Sequence, residues 1–152
     1  MFFLQKSLCF IICLLWFSLG FAGINNPLII NFSKTQYGAA NKNWSISEDE
    51  HGILYFGNDI GLLEFDGIEW KLNKLPKAEV VRSVYAVSNN EIYTGGYEEC
   101  GKWSRQPDGE LTYTSLSKEL PTDNWQNDDI WRILPQGESI YFQSFSGIFR
   151  HT

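Results

Sequence analysis

The chain has 152 residues, with 18 acidic and 12 basic side chains and a formal net charge of −6. An acidic surface with no run of basic residues repels phosphate, so neither nucleic acid nor an anionic membrane surface is an expected partner. After residue 24, no apolar pattern keeps the helical period over ten residues or more, which argues against an α-helical protein.

Residues 1–23 predict a secretory signal peptide. Lys6 supplies the positive charge, residues 8–19 form an apolar run, and Ala22 ends a small-residue cleavage site. The run is shorter than the roughly 20 residues that span a bilayer, and an uncleaved anchor is the alternative. We expect an exported chain, periplasmic or in the extracytoplasmic part of an inner-membrane protein, without membrane contact after signal cleavage. Cleavage leaves Cys100 as the one cysteine, which excludes an intrachain disulfide within this segment.

A pattern of short apolar strands then occurs three times. In each copy, a strand leads through a polar turn to a second strand with a tyrosine, and a glycine opens a third strand. The tyrosines are Tyr55, Tyr93 and Tyr141, and the glycines are Gly61, Gly101 and Gly147. The mean tyrosine spacing of 43 residues is the period of a β-propeller blade. We therefore predict an all-β fold: an incomplete β-propeller of about two and a half to three four-stranded blades, preceded by a signal-peptide helix.

The predicted domains follow this repeat. Residues 24–40 form an N-terminal segment, in which residues 28–37 are a possible ring-closing strand. The blades cover about 41–76, 77–121 and 122–152. Their strands are predicted at 44–47, 53–57, 62–65, 69–72, 81–87, 91–94, 101–104, 111–115, 130–134, 139–143 and 147–151. Because a closed propeller needs at least about four blades, we read the chain as the N-terminal piece of a longer protein or as a truncated gene product.

The first blade carries a recognisable motif. Residues 49–52 read Asp-Glu-His-Gly, residues 55–58 read Tyr-Phe-Gly-Asn, and residues 61–67 read Gly-Leu-Leu-Glu-Phe-Asp-Gly. This run resembles the two-component regulator propeller repeat family, in regulators of the triple-tyrosine-domain type. The second blade departs from the motif, with Asn89 and Asn90 in place of the Asp-x-x-Gly turn, and the third has Pro-Gln-Gly at residues 135–137.

The resemblance implies a function that the composition alone does not. Family members are extracytoplasmic sensors whose propellers lead, through a membrane crossing, to a histidine kinase or a DNA-binding output domain, and many are thought to respond to carbohydrates. The chain would then be the N-terminal part of a non-enzymatic sensing propeller, with a small-molecule or glycan ligand and a homodimer in the full-length protein. The alternatives are a fragment of a secreted propeller-fold lyase or hydrolase, and a secreted interaction module.

Catalytic and metal motifs are not evident in the sequence. His51 and His151 have no nearby serine or cysteine in a nucleophile context, and the acidic clusters lack calcium-loop spacing. We predict no catalytic residue, no metal and no cofactor. Tryptophans within the predicted strands, such as Trp44, Trp70 and Trp131, are expected in the core, because propeller blades pack through large aromatic side chains.

The ligand site is predicted from propeller geometry. Loops that enter each innermost strand, and loops between the second and third strands, surround the mouth of the central channel. The predicted ligand-binding residues are Asn43, Asn58, Asp59, Arg82, Tyr97, Trp125, Asn127 and Asp129. Amides, carboxylates and aromatic rings suit a neutral ligand rich in hydroxyl groups. The alternative is that these side chains only satisfy the backbone of their own loops.

Overall fold

The structure is a computed structural model that describes residues 28–77, 80–119 and 127–152. The predicted signal peptide and Trp125 lie outside the described residues. The chain divides into two compact units, Met1–Asn31 and Phe32–Thr152. Residues 28–31 of the first unit form no helix or strand, and the second unit contains every element described below. No helix in the described ranges is long and apolar enough to cross a membrane.

Within the described residues, eleven strands form three antiparallel sheets, and in each sheet the strands that follow one another in the chain pair. Sheet 1 contains β1 (Asn43–Glu48), β2 (Leu54–Asn58), β3 (Gly61–Phe65) and β4 (Trp70–Asn73). Sheet 2 contains β5 (Val81–Ser88), β6 (Glu91–Gly96), β7 (Glu99–Arg105) and β8 (Leu111–Ser115), and a short 3-10 helix, Ser117–Glu119, follows. Sheet 3 contains β9 (Arg132–Gln136), β10 (Ser139–Gln143) and β11 (Ile148–His151). The prediction of a β-rich chain with three sheets of three or four strands is confirmed.

The segment before β1 differs from the prediction. Residues 28–33 lie in no strand, and Lys34–Tyr37 form a short helix, α1. The backbone N–H of Ser33 donates to Gln36 Oε1 at 2.8 Å, and Gly38 ends the helix with a left-handed φ of 63°. This local capping favours a helical turn over an extended strand. The pairing of this segment with another blade stays a prediction.

The three sheets repeat one register. Ser45 pairs with Gly57 in sheet 1, Ser83 with Gly95 in sheet 2, and Arg132 with Gln143 in sheet 3. The register shifts between Asn43 and Ser45 and again between Val81 and Ser83, so Trp44 and Arg82 are the extra residues of two equivalent β-bulges. Trp131 immediately precedes Arg132 and occupies the corresponding position. The third strand of sheet 2 begins at Glu99, so Gly101 lies inside β7 and does not open it as predicted.

Sheet 2 is buried on both faces. One apolar cluster between sheets 1 and 2 includes Tyr55, Leu62, Val84, Ile92 and Trp103. A second cluster between sheets 2 and 3 contains Tyr93, Cys100, Leu116, Ile130, Ile133, Ile140, Phe142 and Phe149. The first strands lie close to the neighbouring sheets: β5 contacts β1 and β2, and β9 contacts β5 and β6. Apolar residues alternate along these strands because the space between each pair of neighbouring sheets is a separate core.

Glycine allows these sheets to approach closely at their first two strands. A Cβ atom on Gly57 would lie 2.8 Å from the backbone oxygen of Val81, the first residue of β5. A Cβ atom on Gly95 would meet a side-chain methyl of Ile130, just before β9. Gly57 and Gly95 occupy the same position in two successive sheets. Neither position has room for a side chain, because the next repeat fills the space.

A buried ion pair joins sheets 1 and 2. Arg105 donates from Nη2 to Glu64 Oε1 at 2.6 Å and to the Tyr55 hydroxyl at 3.1 Å, and its Nε donates to the Asn89 carbonyl at 3.0 Å. The Tyr55 hydroxyl in turn donates to Asp49 Oδ2 at 3.1 Å. Burial, together with the Glu64 charge, raises the pKa of Tyr55 above its ordinary value. Tyr55 therefore acts as a neutral hydrogen-bonding group between the sheets.

Replacement of Gly95 by alanine tests the close approach. We expect Gly95→Ala to lower the free energy of unfolding by about 2 kcal/mol or more, because the new methyl group overpacks the contact with Ile130. Gly147→Ala is the matched control, since its Cβ would lie at an ordinary 3.6 Å from Phe149 and should change stability by less than about 0.5 kcal/mol. Urea unfolding followed by tryptophan fluorescence measures both, and equal effects would contradict the proposed role of Gly95.

Candidate ligand site

The predicted site residues that the structure describes lie at one edge of the three sheets. This edge contains the starts of β1 and β5, the turns after β2 and β6, and the segment that leads to β9. Hydrogen bonds link the turn after β6 to that segment: the backbone N–H of Glu98 donates to the Asp128 carbonyl, and that of Ile130 donates to the Gly96 carbonyl, both at 2.9 Å. The repeat thus brings together residues that are up to 86 positions apart in sequence, Asn43 and Asp129.

The centre of this edge is a row of two indoles and one guanidinium. The Arg82 guanidinium carbon lies 4.0 Å from the ring centroid of Trp44 and 5.7 Å from that of Trp131. Trp44 and Arg82 are the bulge residues of β1 and β5, and Trp131 lies at the equivalent place just before β9. A cation over an indole face is attracted by the ring electrons. We call Trp44, Arg82 and Trp131 the bulge row.

The expectation that Trp44 belongs to the core is wrong. Its side chain is 41% exposed, whereas Trp103 in β7 is buried at 2% and is the tryptophan of the sheet 1–sheet 2 core. The bulge explains the difference, because an extra residue in a strand re-aims its side chain away from the pleat. Trp131 is half-buried, with a buried indole nitrogen that has no partner within the described ranges.

Two carboxylates hold the bulge row. Asp129 Oδ1 accepts a hydrogen bond from Arg82 Nε at 3.2 Å. Asp59 Oδ1 accepts one from the Trp44 indole N–H at 2.7 Å and lies 4.0 Å from Arg82 Nη1. One guanidinium therefore faces two carboxylates, and each of the three side chains is mostly buried. Asp129 hydrogen-bonds Arg82 through Nε, while the buried Nη1 has no hydrogen-bond partner within the described residues.

Asn43 and Asn58 have a structural role at the same edge. Asn58 is fully buried, and its amide nitrogen donates to the Ala40 carbonyl at 2.9 Å and to Asn43 Oδ1 at 2.7 Å. Its amide oxygen accepts the N–H groups of Ala40 and Ile60, each at 3.2 Å. For Asn58, the geometry favours the alternative reading of a loop-satisfying residue over a ligand contact.

Tyr97 and Asn127 form the other side of the edge. The Tyr97 hydroxyl donates to Asn127 Oδ1 at 3.0 Å, while the Asn127 N–H donates to Glu98 Oε1 at 2.6 Å. Glu98 and Asn127 both have left-handed φ angles, 49° and 59°. Tyr97 pairs with Asp129 in an isolated antiparallel bridge and leaves its ring substantially exposed. An aromatic face and an amide thus stand beside the bulge row.

Asp128 stabilises the turn between β10 and β11, which is the part of this edge that sheet 3 contributes. Its Oδ2 accepts hydrogen bonds from both the backbone N–H and the hydroxyl of Ser146, each at 2.8 Å. Burial alone would raise the pKa of Asp128, but the bonds from Ser146 hold this pKa below its ordinary value of 3.8. The carboxylate is therefore the form that fixes the turn between β10 and β11.

A group of possible metal ligands lies elsewhere. Asp49, Glu50 and His51 in the turn after β1 each offer a ligand atom within 4.8 Å of the others. Asp49 Oδ1 accepts from the backbone N–H groups of His51 and Ile53 at 2.9 and 3.0 Å. Its Oδ2 accepts from the Tyr55 hydroxyl. These bonds account for Asp49 as a turn-stabilising residue.

The bulge row could have been found from the repeat. Trp44 and Arg82 each lie 11 residues before the tyrosine of their repeat, and Trp131 lies 10 residues before Tyr141. This nearly constant distance from the repeated tyrosine places the three side chains at one level of neighbouring strands. Sequence reasoning favoured the core for two of them because it used residue type and ignored the bulge. Trp125, the predicted ligand residue of the third loop, lies outside the described residues.

No protein-family model matches this sequence, and no curated protein matches it. The functional interpretation therefore depends on the geometry of this edge and on the repeat.

A pH titration tests the role of Asp128. Because its folded pKa is depressed, its carboxylate contributes stability that is complete above the ordinary pKa of 3.8 and is lost as the pH falls through the lower folded value. We expect Asp128→Asn to be about 1 kcal/mol less stable than the parent at pH 7. The gap should close as the pH approaches about 2.

Urea unfolding at a series of pH values measures this difference. Ser146→Ala removes the hydroxyl donor and should show part of the same acid-sensitive loss. A gap between parent and Asp128→Asn that is constant over the whole pH range would contradict the assignment.

Proposed function

We propose that the three sheets are neighbouring blades of a β-propeller, and that the edge around the bulge row is its ligand-binding mouth. The observation that carries this proposal is a repeated position at the start of the three sheets: Trp44 and Arg82 are the bulge residues of β1 and β5, and Trp131 lies at the equivalent place just before β9. Support for the fold comes from the strand order of each sheet and from contacts between sheets at their first and second strands. Radially repeated four-stranded sheets are the architecture of propellers.

The proposed role is non-enzymatic ligand sensing by an exported regulator. The charge balance favours an uncharged, hydroxyl-rich ligand such as a glycan. Arg82 Nε already donates to Asp129, and Asp59 lies 4.0 Å from Arg82 Nη1, so an acidic ligand at Arg82 would meet two carboxylates. The exposed part of Trp44 and the ring of Tyr97 offer apolar faces for stacking, and Asn127 offers an amide.

The geometry supports binding over sugar hydrolysis. A glycoside hydrolase needs one protonated carboxylic acid to donate to the leaving group and a second carboxylate as base or nucleophile. Here Asp59 accepts the Trp44 indole N–H at 2.7 Å, and Asp129 accepts from Arg82 Nε at 3.2 Å. Both carboxylates are thus engaged by donors of the protein itself, which supports a positioning role for them.

The output would be a change in propeller packing. Ligand capture at the mouth would favour one arrangement of two propellers in a dimer, and differential affinity for the two arrangements is what transmits a signal. In a membrane signal-transduction regulator, that change would reach a kinase or DNA-binding domain.

Binding of two matched oligosaccharides tests the site. We expect a neutral galactose tetrasaccharide to bind and a galacturonic acid tetrasaccharide to bind at least about tenfold more weakly, because like charges oppose the acid. Trp44→Ala should weaken binding of the neutral sugar about tenfold or more, since it removes the stacking face. Its melting temperature should change by only about 2 °C, as the residue lies outside the core.

Ile68→Ala is the control, because Ile68 is an exposed apolar residue in the turn after β3, away from this edge. Calorimetric titration gives the affinities. Equal binding of both sugars, or a Trp44→Ala variant that binds like the parent, would contradict the proposed site.

The cellular context is tested by fractionation with an antibody against residues 31–75. A membrane-bound band several times heavier than this 17.5 kDa chain is the result expected for a regulator. A soluble secreted product with lyase or hydrolase activity would instead support the enzyme alternative.

A further inference from the structure

Phe145 is a strongly exposed aromatic residue at the edge that contains the bulge row. It lies in the turn between β10 and β11, and 82% of its surface is accessible to solvent. Its ring centroid lies 5.5 Å from that of Trp131, and the two ring planes are inclined at 48°. We call these two rings the aromatic corner. A single exposed apolar side chain needs no explanation in itself, but this one contacts a residue of the bulge row.

The repeat places Phe145 at the same position as two of the predicted ligand-binding residues. In each sheet, a two-residue turn joins the second strand to the third. The residues that flank these turns pair as Asn58 with Gly61, Gly96 with Glu99, and Ser144 with Gly147. The first turn residue is Asp59 in sheet 1, Tyr97 in sheet 2 and Phe145 in sheet 3. Phe145 is therefore the third member of a set whose other two members belong to the candidate site.

Hydrogen bonds hold the turn that carries Phe145 in one conformation. The backbone N–H of Ser144 donates to the Gly147 carbonyl at 2.9 Å, and the Ser144 hydroxyl accepts the Gly147 N–H at 3.0 Å. Asp128 binds the intervening Ser146 through both its backbone N–H and its hydroxyl. The backbone of Phe145 is thus ordered before a ligand binds, which reduces the conformational entropy that binding would cost.

The aromatic corner differs in chemistry from the rest of the edge. At these two repeated positions, sheets 1 and 2 each combine one aromatic side chain with one charged side chain, Trp44 with Asp59 and Tyr97 with Arg82. Sheet 3 combines two aromatic side chains without charge. Phe145 has no polar atom in its side chain, and the indole nitrogen of Trp131 is buried. The accessible part of both rings is therefore carbon.

A carbon surface of this kind favours an apolar group of a ligand. A hydroxyl group placed against two aromatic rings would exchange its hydrogen bonds with water for contacts that offer none, which costs free energy. An aromatic ring placed there would bury its own apolar surface and could pack edge-to-face or offset against the two rings. The corner is thus better suited to an aromatic ring than to the hydroxyl groups of a sugar.

We propose that the aromatic corner is an apolar subsite of the ligand edge, and that the ligand is a neutral glycan or glycoside that carries an aromatic group. The hydroxyl-rich part of this ligand would contact the bulge row and Asn127, while the aromatic group would lie against Phe145 and Trp131. The subsite rests on the proposed function, because it extends the ligand site at the bulge row.

Two galactosides that differ only in the group attached to the sugar test the subsite, para-nitrophenyl β-galactoside and methyl β-galactoside. A single sugar unit lets the attached group reach the corner from either direction along the edge. We expect the parent to bind the para-nitrophenyl compound at least about tenfold more tightly than the methyl compound, because the nitrophenyl ring is buried in the corner. Phe145→Ala should lower this ratio of affinities to about twofold or less, whereas Phe145→Tyr keeps the ring and should retain the ratio.

Ile68→Ala is the matched control, because Ile68 is similarly exposed, at 86%, but lies in the turn after β3, away from this edge. It should bind both galactosides as the parent does. All three variants should melt within about 2 °C of the parent, since the substituted side chains are exposed. Calorimetric titration gives the affinities.

A parent that binds the two galactosides equally, or a preference for the nitrophenyl compound that persists in Phe145→Ala, would overturn the subsite. The neutral galactose tetrasaccharide separates this outcome from failure of the proposed function. If the parent binds the tetrasaccharide but shows no preference between the galactosides, only the subsite is overturned. If the parent binds none of the three sugars, the proposed function fails and the subsite fails with it.

Discussion

The close approach of each sheet to the glycine of the preceding one is the constraint on which this structure depends. Without a side chain at Gly57 and Gly95, the first residues of the next repeat lie directly against the second strand. This spacing sets the first strands side by side and brings Arg82 within stacking distance of Trp44. If the sheets lay farther apart, the strands could still form, but Arg82 would no longer lie within stacking distance of Trp44. The candidate site is thus a consequence of backbone packing rather than of any one loop.

Polar contacts hold the same arrangement at other points. Arg105 binds Glu64 and Tyr55 between sheets 1 and 2, and the Ser83 hydroxyl donates to the Ile130 carbonyl between sheets 2 and 3 at 2.8 Å. Buried hydrogen bonds of this kind must be satisfied in one geometry, because an unpaired buried charge destabilises the fold strongly. The apolar clusters supply most of the driving force, while these bonds define the relative position of the sheets. A site supported in this way is pre-organised.

Much of this fold could be predicted from the sequence, because strands of four to eight residues with alternating burial leave a clear pattern. The repeated tyrosines gave the correct spacing, and the loop rule brought Arg82, Asp59 and Asp129 to one edge. Prediction failed where local detail overrides pattern. Trp44 is exposed because a bulge turns it out of the pleat, and residues 34–37 are helical because Ser33 and Gln36 cap them. The burial of Asn58 could not be predicted from the sequence either, since it depends on contacts with Ala40, eighteen residues earlier.

The bulges also separate two tasks that usually compete within one strand. In β5 the regular positions Val84 and Ala86 belong to the sheet 1–sheet 2 core, while the extra residue, Arg82, lies in the bulge row. None of the bulge-row residues belongs to the described apolar clusters. Under the proposed function, substitution at these three positions would change the chemistry of the ligand-binding edge without repacking the interior. The repeat would then vary what it binds while its scaffold stays constant, as variable loops do on other folds, but with residues that are held by strands.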